Sequence, residues 1–273
     1  MSFIHQKKVK QTLKGVLFVL LGLYLMISTS LYFLQEKLIF LPTKLEQDFT
    51  YQFNYPFEEL FLNTDKDAII NALHFKAKKT KGVILYFHGN AGDLNRWGNI
   101  TEFFVAKDYD VFVMDYRTYG KSTGKLSENA LYSDAQYCYD YLLKHYSEDN
   151  ITLYGRSLGT GIASYLASKN KPKQLILETP YYSLLDVAKK RFPVFPLKIL
   201  MKYELPTFKY IKKVTCPITL LHGTNDKIIP IQSAIKLYDE TKNEKISLTI
   251  IEGAKHNNLN TFETYIYKIN EIL

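Results

Sequence analysis

Runs of apolar residues alternate with helical patterns from residue 56 onward, and this alternation restricts the fold more than any other feature. The runs GVILYFH (82–88) and DVFVMDY (110–116) are almost wholly apolar, which is typical of strands buried on both faces of a sheet. Further strands are predicted at EELFLNT and AIINALHFKA around the turn DKD, and at ITLYG (151–155), QLILE (174–178), ITLLHG (218–223) and ISLTIIEG (246–253).

The segments between these strands carry apolar residues at helical spacing. A helix is predicted from Trp97 to Lys107, and another within SENALYSDAQYCYDYLLKHY, where Ser127 is placed to cap it. Two more follow near the carboxyl terminus, in IQSAIKLYDET and LNTFETYIYKINEIL. Strands that alternate with helices predict an α/β fold with a mostly parallel central sheet and helices on both faces.

The first residues of the chain have a different character. Residues 15–34, GVLFVLLGLYLMISTSLYFL, contain no charge, and twenty helical residues span about 30 Å, the thickness of a bilayer core. We therefore expect a signal anchor at 15–35, a linker at 36–55 in which Pro42 lies beyond any helix, and an α/β domain at 56–273. The alternative is a signal peptide cleaved near Ser28 or Ser30, but the apolar run continues past both residues.

The amino-terminal segment 1–14 indicates the orientation of the anchor. Four lysines precede the apolar run, at positions 7, 8, 10 and 14, and none directly follows it. Positive charge stays on the cytoplasmic side. The sequence therefore predicts a single-pass protein whose α/β domain lies on the extracytoplasmic side.

Composition argues against several other classes of protein. The two cysteines, Cys138 and Cys216, lie in apolar surroundings, which indicates buried free thiols and not a disulfide framework. No Cys/His cluster has the spacing of a metal site. The net charge of +8 comes from lysines scattered along the chain, which favours a solvated surface over nucleic-acid binding.

Ser157 lies in the stretch GRSLGTG, directly after the strand ITLYG and at the start of a helical pattern. A strand–turn–helix of this kind forms a nucleophile elbow, whose sharp turn needs small neighbours such as Gly155 and Gly159. Because ligands bind outside the carboxyl ends of parallel strands, the serine is expected at a site. The sequence thus makes Ser157 a candidate nucleophile.

A serine nucleophile requires a base and an orienting acid. In such folds these follow the serine in the order acid, then histidine, each on a loop after a strand. Asp226 follows ITLLHG and His256 follows ISLTIIEG, so both the order and the positions fit. Glu178, at the end of QLILE, is the alternative acid.

The tetrahedral intermediate of acyl transfer also requires hydrogen-bond donors. The N–H of Leu158, directly after the candidate nucleophile, is one candidate. The loop FHGNAGDLNRW after an early strand supplies the second, because Gly89 permits a turn that would aim the N–H of Asn90 at the oxyanion.

Together these motifs resemble the membrane-anchored branch of the α/β-hydrolase superfamily, which includes lysophospholipid lipases, protein depalmitoylases and hydrolases related to serine aminopeptidases. The resemblance runs from QEKLIFLP through DYRTYGKSTG, LYGRSLGTGIASYLA and LILETPYYSL to EGAKHNN, and DYRTYGKSTG is especially specific. It implies a triad of Ser157, Asp226 and His256 with Asn90 and Leu158 as oxyanion donors. Thr118 replaces the usual small residue after DYR.

Residues 181–212, called the insertion below, are too long for a simple crossover and are rich in aromatic residues, leucine and proline. We expect a helical lid above the sheet, with Tyr181 and Tyr182 as candidate substrate-binding residues. Its aromatic residues and the basic run 189–191 suit an acyl chain with an anionic head group. They are equally compatible with simple packing of the insertion against the sheet, and the insertion matches no subgroup of the family.

The function expected from these features is hydrolysis of a carboxylic ester or thioester through an acyl-enzyme, without a metal or cofactor. The substrate is a small-molecule or lipid acyl ester, with lysophospholipids or fatty-acyl compounds preferred, and the membrane is a partner through the anchor. The alternatives are a serine peptidase of the aminopeptidase type and a non-catalytic binding protein with this fold. The sequence carries no indication of the oligomeric state.

Overall fold

The computed structural model describes residues 2–241 and 244–273, which contain an eight-stranded sheet in the order β1-β2-β4-β3-β5-β6-β7-β8. In chain order the strands are β1 (Phe57–Asp65), β2 (Ala68–Phe75), β3 (Val83–Phe87), β4 (Asp110–Met114), β5 (Ile151–Arg156), β6 (Gln174–Glu178), β7 (Ile218–Gly223) and β8 (Ile246–Ile251). β2 runs antiparallel to β1 and β4, and every other neighbouring pair is parallel. The predicted α/β fold with a mostly parallel sheet is confirmed.

The helices are α1 (Ser2–Ile39), α2 (Leu94–Val105), α3 (Glu128–Leu142), α4 (Gly159–Ala167), α5 (Leu184–Arg191), α6 (Leu197–Leu200), α7 (Thr207–Ile211), α8 (Gln232–Thr241) and α9 (Glu263–Ile272). Ser127 caps α3 as predicted, because its side chain accepts from the N–H of Ala130. α2 begins three residues earlier than predicted, because Asp93 caps it by accepting from Asn95 and Arg96 N–H.

Two apolar layers enclose the sheet. One face packs against α3, α4, α8 and the insertion, and the other packs against α2 and α9. Every residue of the central strands β3 to β7 is buried, which explains why their sequences are predominantly apolar. Cys138 and Cys216 are buried free thiols, as expected from their surroundings.

The amino-terminal helix α1 contains the whole predicted anchor and continues through Ile39. It is long and apolar enough to cross a membrane, and most of its apolar side chains are exposed. Directly after it, the two-residue strand Leu41–Pro42 pairs in parallel with Ala91–Gly92. The end of α1 is therefore attached to the loop that follows β3.

The insertion lies between β6 and β7 and contains α5, α6 and α7. Ser183 caps α5 by accepting from the N–H of Asp186, and α7 packs against α4. The insertion thus lies beside α4, the helix that follows Ser157.

Candidate active site

A cavity of about 400 Å³ opens at the carboxyl ends of the parallel strands. Ser157, Leu158, Asn90 and His256 all line it, although they follow three different strands. The size suits a small-molecule ligand, and the position is the one expected for a site in a parallel sheet.

Ser157 is held in a strained turn between β5 and α4. Its φ is +50°, in the left-handed region that non-glycine residues rarely adopt. The two glycines are required by close approach: a Cβ atom at Gly155 would lie 2.6 Å from the carbonyl oxygen of Gly159, and one at Gly159 would lie 2.1 Å from that of Phe87. The Gly-x-Ser-x-Gly pattern therefore reflects the shape of this elbow.

Ser157, His256 and Asp226 form one chain of hydrogen bonds. His256 Nδ1 lies 2.7 Å from Asp226 Oδ2, and His256 Nε2 lies 2.9 Å from Ser157 Oγ. Because the carboxylate can only accept, the Nδ1 atom carries the proton and Nε2 is left to accept from the serine hydroxyl. An imidazole in this state can take the serine proton.

The Asp226 carboxylate is nearly buried and fully hydrogen-bonded. Its Oδ1 accepts from the N–H groups of Ile228 and Ile229, at 2.8 and 2.9 Å. Burial alone would raise the pKa of Asp226, but hydrogen bonds from His222 and His256 outweigh burial and hold that pKa well below its usual range. The carboxylate is therefore ionised at neutral pH.

His222 is a further member of this cluster, and it is not among the site residues that the sequence predicts. Its Nε2 donates to the carbonyl of Ile229 at 2.8 Å and lies 3.3 Å from Asp226 Oδ2. It therefore lies beside the same carboxylate oxygen that His256 contacts. Its location at the end of β7, four residues before Asp226, was the only available sequence signal.

The candidate oxyanion donors lie beside the serine. A Cβ atom placed on Gly89 would lie 3.8 Å from that of Ser157, so the loop that carries Asn90 passes beside the Ser157 side chain. The N–H groups of Asn90 and Leu158 donate to no other residue in the part of the chain that the structure describes. Both are available to a ligand oxygen.

Asn90 is fixed by contacts with the end of α1. Its carbonyl accepts from the Leu41 N–H at 2.8 Å and from the Tyr119 hydroxyl at 2.6 Å, and its Nδ2 donates to the Ile39 carbonyl at 3.1 Å. No local sequence pattern indicates these contacts, because the partners are far apart in the chain. They fix the Asn90 side chain and the Asn90–Ala91 peptide, which directly follows the peptide that carries the candidate donor.

The alternative acid, Glu178, is engaged elsewhere. Its Oε1 pairs with Arg156 Nε at 3.2 Å, and its Oε2 accepts from the Tyr154 hydroxyl at 2.5 Å. The Arg156 guanidinium also lies over the Trp97 ring, 5.5 Å from its centre. The pair braces the base of the elbow, and it is Asp226 that contacts His256.

The two candidate substrate-binding tyrosines differ in position. Tyr181 lines the cavity and is buried, and its hydroxyl donates to the Leu158 carbonyl at 2.9 Å. Tyr182 is not brought to the cavity. Its ring stacks on Phe208, and its hydroxyl donates to Glu240 on α8.

The cavity wall is apolar with positive charge. Most of its side chains are aliphatic or aromatic, and among its described residues the ionisable side chains are Arg96, Arg156, Arg191, His256 and Tyr181, with no carboxylate. Arg96 and Arg191 pair with no acid in the described chain. Residues 2–241 and 244–273 hold no group of three His, Cys, Asp or Glu side chains placed to bind a metal.

Comparisons with known proteins identify the family of the chain. The family model described as alpha/beta hydrolase fold matches residues 82–196, and the one described as serine aminopeptidase, S33, matches residues 207–263. An uncharacterised protein of Acanthamoeba polyphaga mimivirus is 32% identical over 235 residues, which cover 78% of this chain and 80% of that protein. Alpha/beta hydrolase domain-containing protein 17C of Mus musculus is 31% identical over 225 residues, covering 79% and 67%.

Solved structures give the same result at the level of the fold. An esterase of Pyrococcus furiosus superposes with a TM-score of 0.69 at 19% identity, covering 85% of this chain and 98% of that one. Acetyl xylan esterase 1 from Thermoanaerobacterium superposes with a TM-score of 0.64 at 17% identity, covering 83% and 86%. The chain belongs to the α/β-hydrolase superfamily and is a hydrolase, as its sequence motifs indicate.

Proposed function

We propose that the protein is a serine hydrolase that cleaves carboxylic esters or thioesters through an acyl-enzyme on Ser157. The observation that carries this proposal is the hydrogen-bonded chain from Asp226 through His256 to Ser157, which ends in the cavity. A non-catalytic protein with this fold has no need of such a chain, nor of a strained serine.

In the proposed mechanism, His256 Nε2 takes the proton of Ser157 as the serine oxygen bonds to the carbonyl carbon. Asp226 stabilises the resulting imidazolium, and the N–H groups of Asn90 and Leu158 bind the oxyanion, each such donor supplying about 3 kcal/mol. The imidazolium then protonates the departing alcohol or thiol. Water attacks the acyl-enzyme with His256 as base, and the carboxylic acid leaves.

The cavity wall favours an acyl substrate over a peptide amino terminus. An aminopeptidase has to neutralise an α-ammonium group, and the described cavity residues include no carboxylate that could do so. An apolar chain instead suits the aliphatic wall, and Arg96 with Arg191 suits an anionic head group. These features support a fatty-acyl or lysophospholipid substrate, with Tyr181 in the wall that contacts it.

We further propose that α1 anchors the enzyme in a membrane, with the α/β domain on the extracytoplasmic side. Support comes from the exposed apolar side chains of α1 and from the exposed lysines before residue 15. Protease added to sealed spheroplasts is expected to degrade the α/β domain. If the domain is degraded only after lysis, it lies on the cytoplasmic side and the proposed orientation is wrong.

The direct test of the chemistry is labelling of the detergent-solubilised full chain with a fluorophosphonate probe. We expect covalent labelling of the native protein and none of Ser157→Ala. A native, folded chain that does not label would contradict the serine mechanism. Rates on p-nitrophenyl esters of increasing chain length would then test the acyl preference, since rates falling steadily beyond a few carbons would contradict a lipid substrate.

A further inference from the structure

The end of α1 is packed against the insertion. Gln35 Nε2 donates to the Leu200 carbonyl at 3.0 Å, and Gln35 Oε1 accepts from the Lys202 N–H at 2.7 Å. The Tyr203 hydroxyl donates to Glu36 at 2.9 Å. These polar contacts lie directly after the uncharged stretch of α1, where a membrane-spanning helix would leave the bilayer.

A second set of contacts lies deeper along α1. The Tyr24 ring stacks on Phe195 with a centroid distance of 5.2 Å, and its hydroxyl lies 3.3 Å from the Val194 carbonyl. Ten helical residues, or about 15 Å, separate Tyr24 from Leu34 at the end of the uncharged stretch. Residues 192–199, called the loop below, consist of an irregular stretch and the first three residues of α6, and they therefore extend alongside the part of α1 that would be inside the bilayer.

The loop has an apolar surface. Ile199 is 80% exposed and Val194 is 71% exposed, and they lie beside the exposed apolar side chains of α1, so that the apolar surface is contiguous and not a set of single side chains. Lys198 is the one charged residue of the loop sequence, and a lysine stem can extend its ammonium toward the head groups. Lys202, beyond the loop, holds its ammonium 4.8 Å from the centre of the Tyr32 ring, as at a membrane–water interface.

The backbone of the loop is also suited to hydrocarbon, where each unpaired polar group is costly. Pro193 and Pro196 have no N–H, and the N–H groups of Phe192 and Phe195 donate to the carbonyls of Ala188 and Phe192. In residues 192–196 of the described chain, only the Val194 N–H and the Pro193 carbonyl lack a partner. An irregular segment with so few free groups can enter a bilayer beside a helix.

The cavity lies between the same two elements. Leu38 and Ile39 from α1 line its wall together with Phe192 and Met201 from the insertion. Leu38 is exposed, so this wall continues onto the apolar surface shared by α1 and the loop. The cavity and the hydrocarbon would thus be connected by a continuous apolar path.

We propose that the loop Phe192–Ile199 inserts into the bilayer that α1 spans, and that the cavity receives acyl chains directly from that bilayer. The substrates are then membrane-resident acyl esters or thioesters. The part concerning the substrate rests on the proposed serine hydrolase function, whereas insertion of the loop does not.

Loop insertion is tested without catalysis. Val194→Cys in the full chain is labelled with the fluorophore NBD and reconstituted into phosphatidylcholine vesicles, with Tyr267→Cys on exposed α9 as the control. Cys138 and Cys216 are buried, and burial raises the pKa of Cys216 to about 11, so neither competes for the label. We expect blue-shifted emission and quenching by lipids with nitroxide-labelled acyl chains at position 194 only. Water-like, unquenched emission at both positions would overturn the proposal.

Membrane supply of the substrate is tested with the double variant Val194→Asp/Ile199→Asp in the same vesicles. We expect hydrolysis of a long-chain acyl ester embedded in the bilayer to fall about tenfold or more, while soluble p-nitrophenyl butyrate is hydrolysed at the native rate. Tyr267→Asp should change neither rate. Unchanged hydrolysis of the embedded ester, or equal losses on both esters, would overturn membrane supply. Absence of hydrolysis of either ester by the native protein would instead contradict the proposed function and leave the NBD result standing.

Discussion

Replacement of Asp226 by asparagine is the substitution for which the structure predicts the sharpest effect. The N–H groups of Ile228 and Ile229 donate to Oδ1, so an asparagine must keep its oxygen at that position. Its NH₂ group then takes the place of Oδ2 and points at His256 Nδ1. Two donors cannot face each other, and the imidazole must move its proton to Nε2.

This change of tautomer removes the base. With a proton on Nε2, His256 can no longer accept from Ser157 Oγ, which lies 2.9 Å away. In a serine protease the corresponding change lowers kcat by about 10⁴, which equals about 5.4 kcal/mol of transition-state stabilisation. We expect a loss of the same order in Asp226→Asn, with little change in the cavity and hence in binding.

The assay is rapid-mixing hydrolysis of p-nitrophenyl butyrate, in which the first release of p-nitrophenol reports acylation. The rate of fluorophosphonate labelling should fall in parallel, because it depends on the same proton transfer. Circular dichroism and thermal unfolding show whether the variant is folded.

The matched control is Glu178→Gln. Because Glu178 pairs with the buried Arg156 and not with His256, this change should lower stability by about 3 kcal/mol and acylation by less than tenfold. A folded Asp226→Asn protein with more than a tenth of the native acylation rate would refute the reasoning. If Glu178→Gln lowers the acylation rate more than Asp226→Asn does, the result would indicate that Glu178 is the acid of the triad.

Three further outcomes are expected. Gly159→Ala should destabilise the protein by roughly 3 kcal/mol in thermal unfolding, because its Cβ would overlap a backbone carbonyl, whereas Gly22→Ala, with nothing within 4 Å, should not. A chain without residues 1–34 should hydrolyse soluble esters at the native rate. A chain without residues 1–41 should have a lower kcat, because Asn90 loses its hydrogen bonds with Ile39 and Leu41. Equal kcat values for the two chains would contradict this. The pKa of Asp226 is lowered in the folded protein, so its ionised form stabilises the fold above about pH 4. The difference in unfolding free energy between native and Asp226→Asn protein, measured with urea, should therefore shrink as the pH falls below that value.

The sheet and the order of the site residues could be predicted because both leave local patterns. A strand buried on two faces must be apolar along its length, and the elbow around Ser157 excludes side chains at Gly155 and Gly159. The helix α2 begins three residues before the predicted Trp97, because Asp93 caps it and Leu94 is its first buried apolar residue. Tyr181 and Tyr182 are adjacent residues of the same type, so the sequence does not distinguish them. The direction of the backbone decides that the Tyr181 side chain lines the cavity and that the Tyr182 side chain contacts Glu240.

The contacts that support the site leave no local pattern. His222 and Asp226 are four residues apart on a strand end and its loop, so no periodicity brings them together. Asn90 meets Ile39 and Tyr119, which are 51 and 29 residues away in the chain. Such contacts arise from the order of the strands in the sheet, which brings together residues that are distant in the sequence.

The contacts of Asn90 also change the meaning of the amino-terminal segment. From the sequence, an anchor and a linker precede an independent domain, and an anchor of that kind would only hold the enzyme at the membrane. In the structure, Ile39 and Leu41 bind both sides of Asn90, whose N–H is the proposed oxyanion donor. Loss of these two contacts would reach the residue that carries the proposed donor, which is why removal of residues 1–41, unlike removal of residues 1–34, is expected to lower kcat.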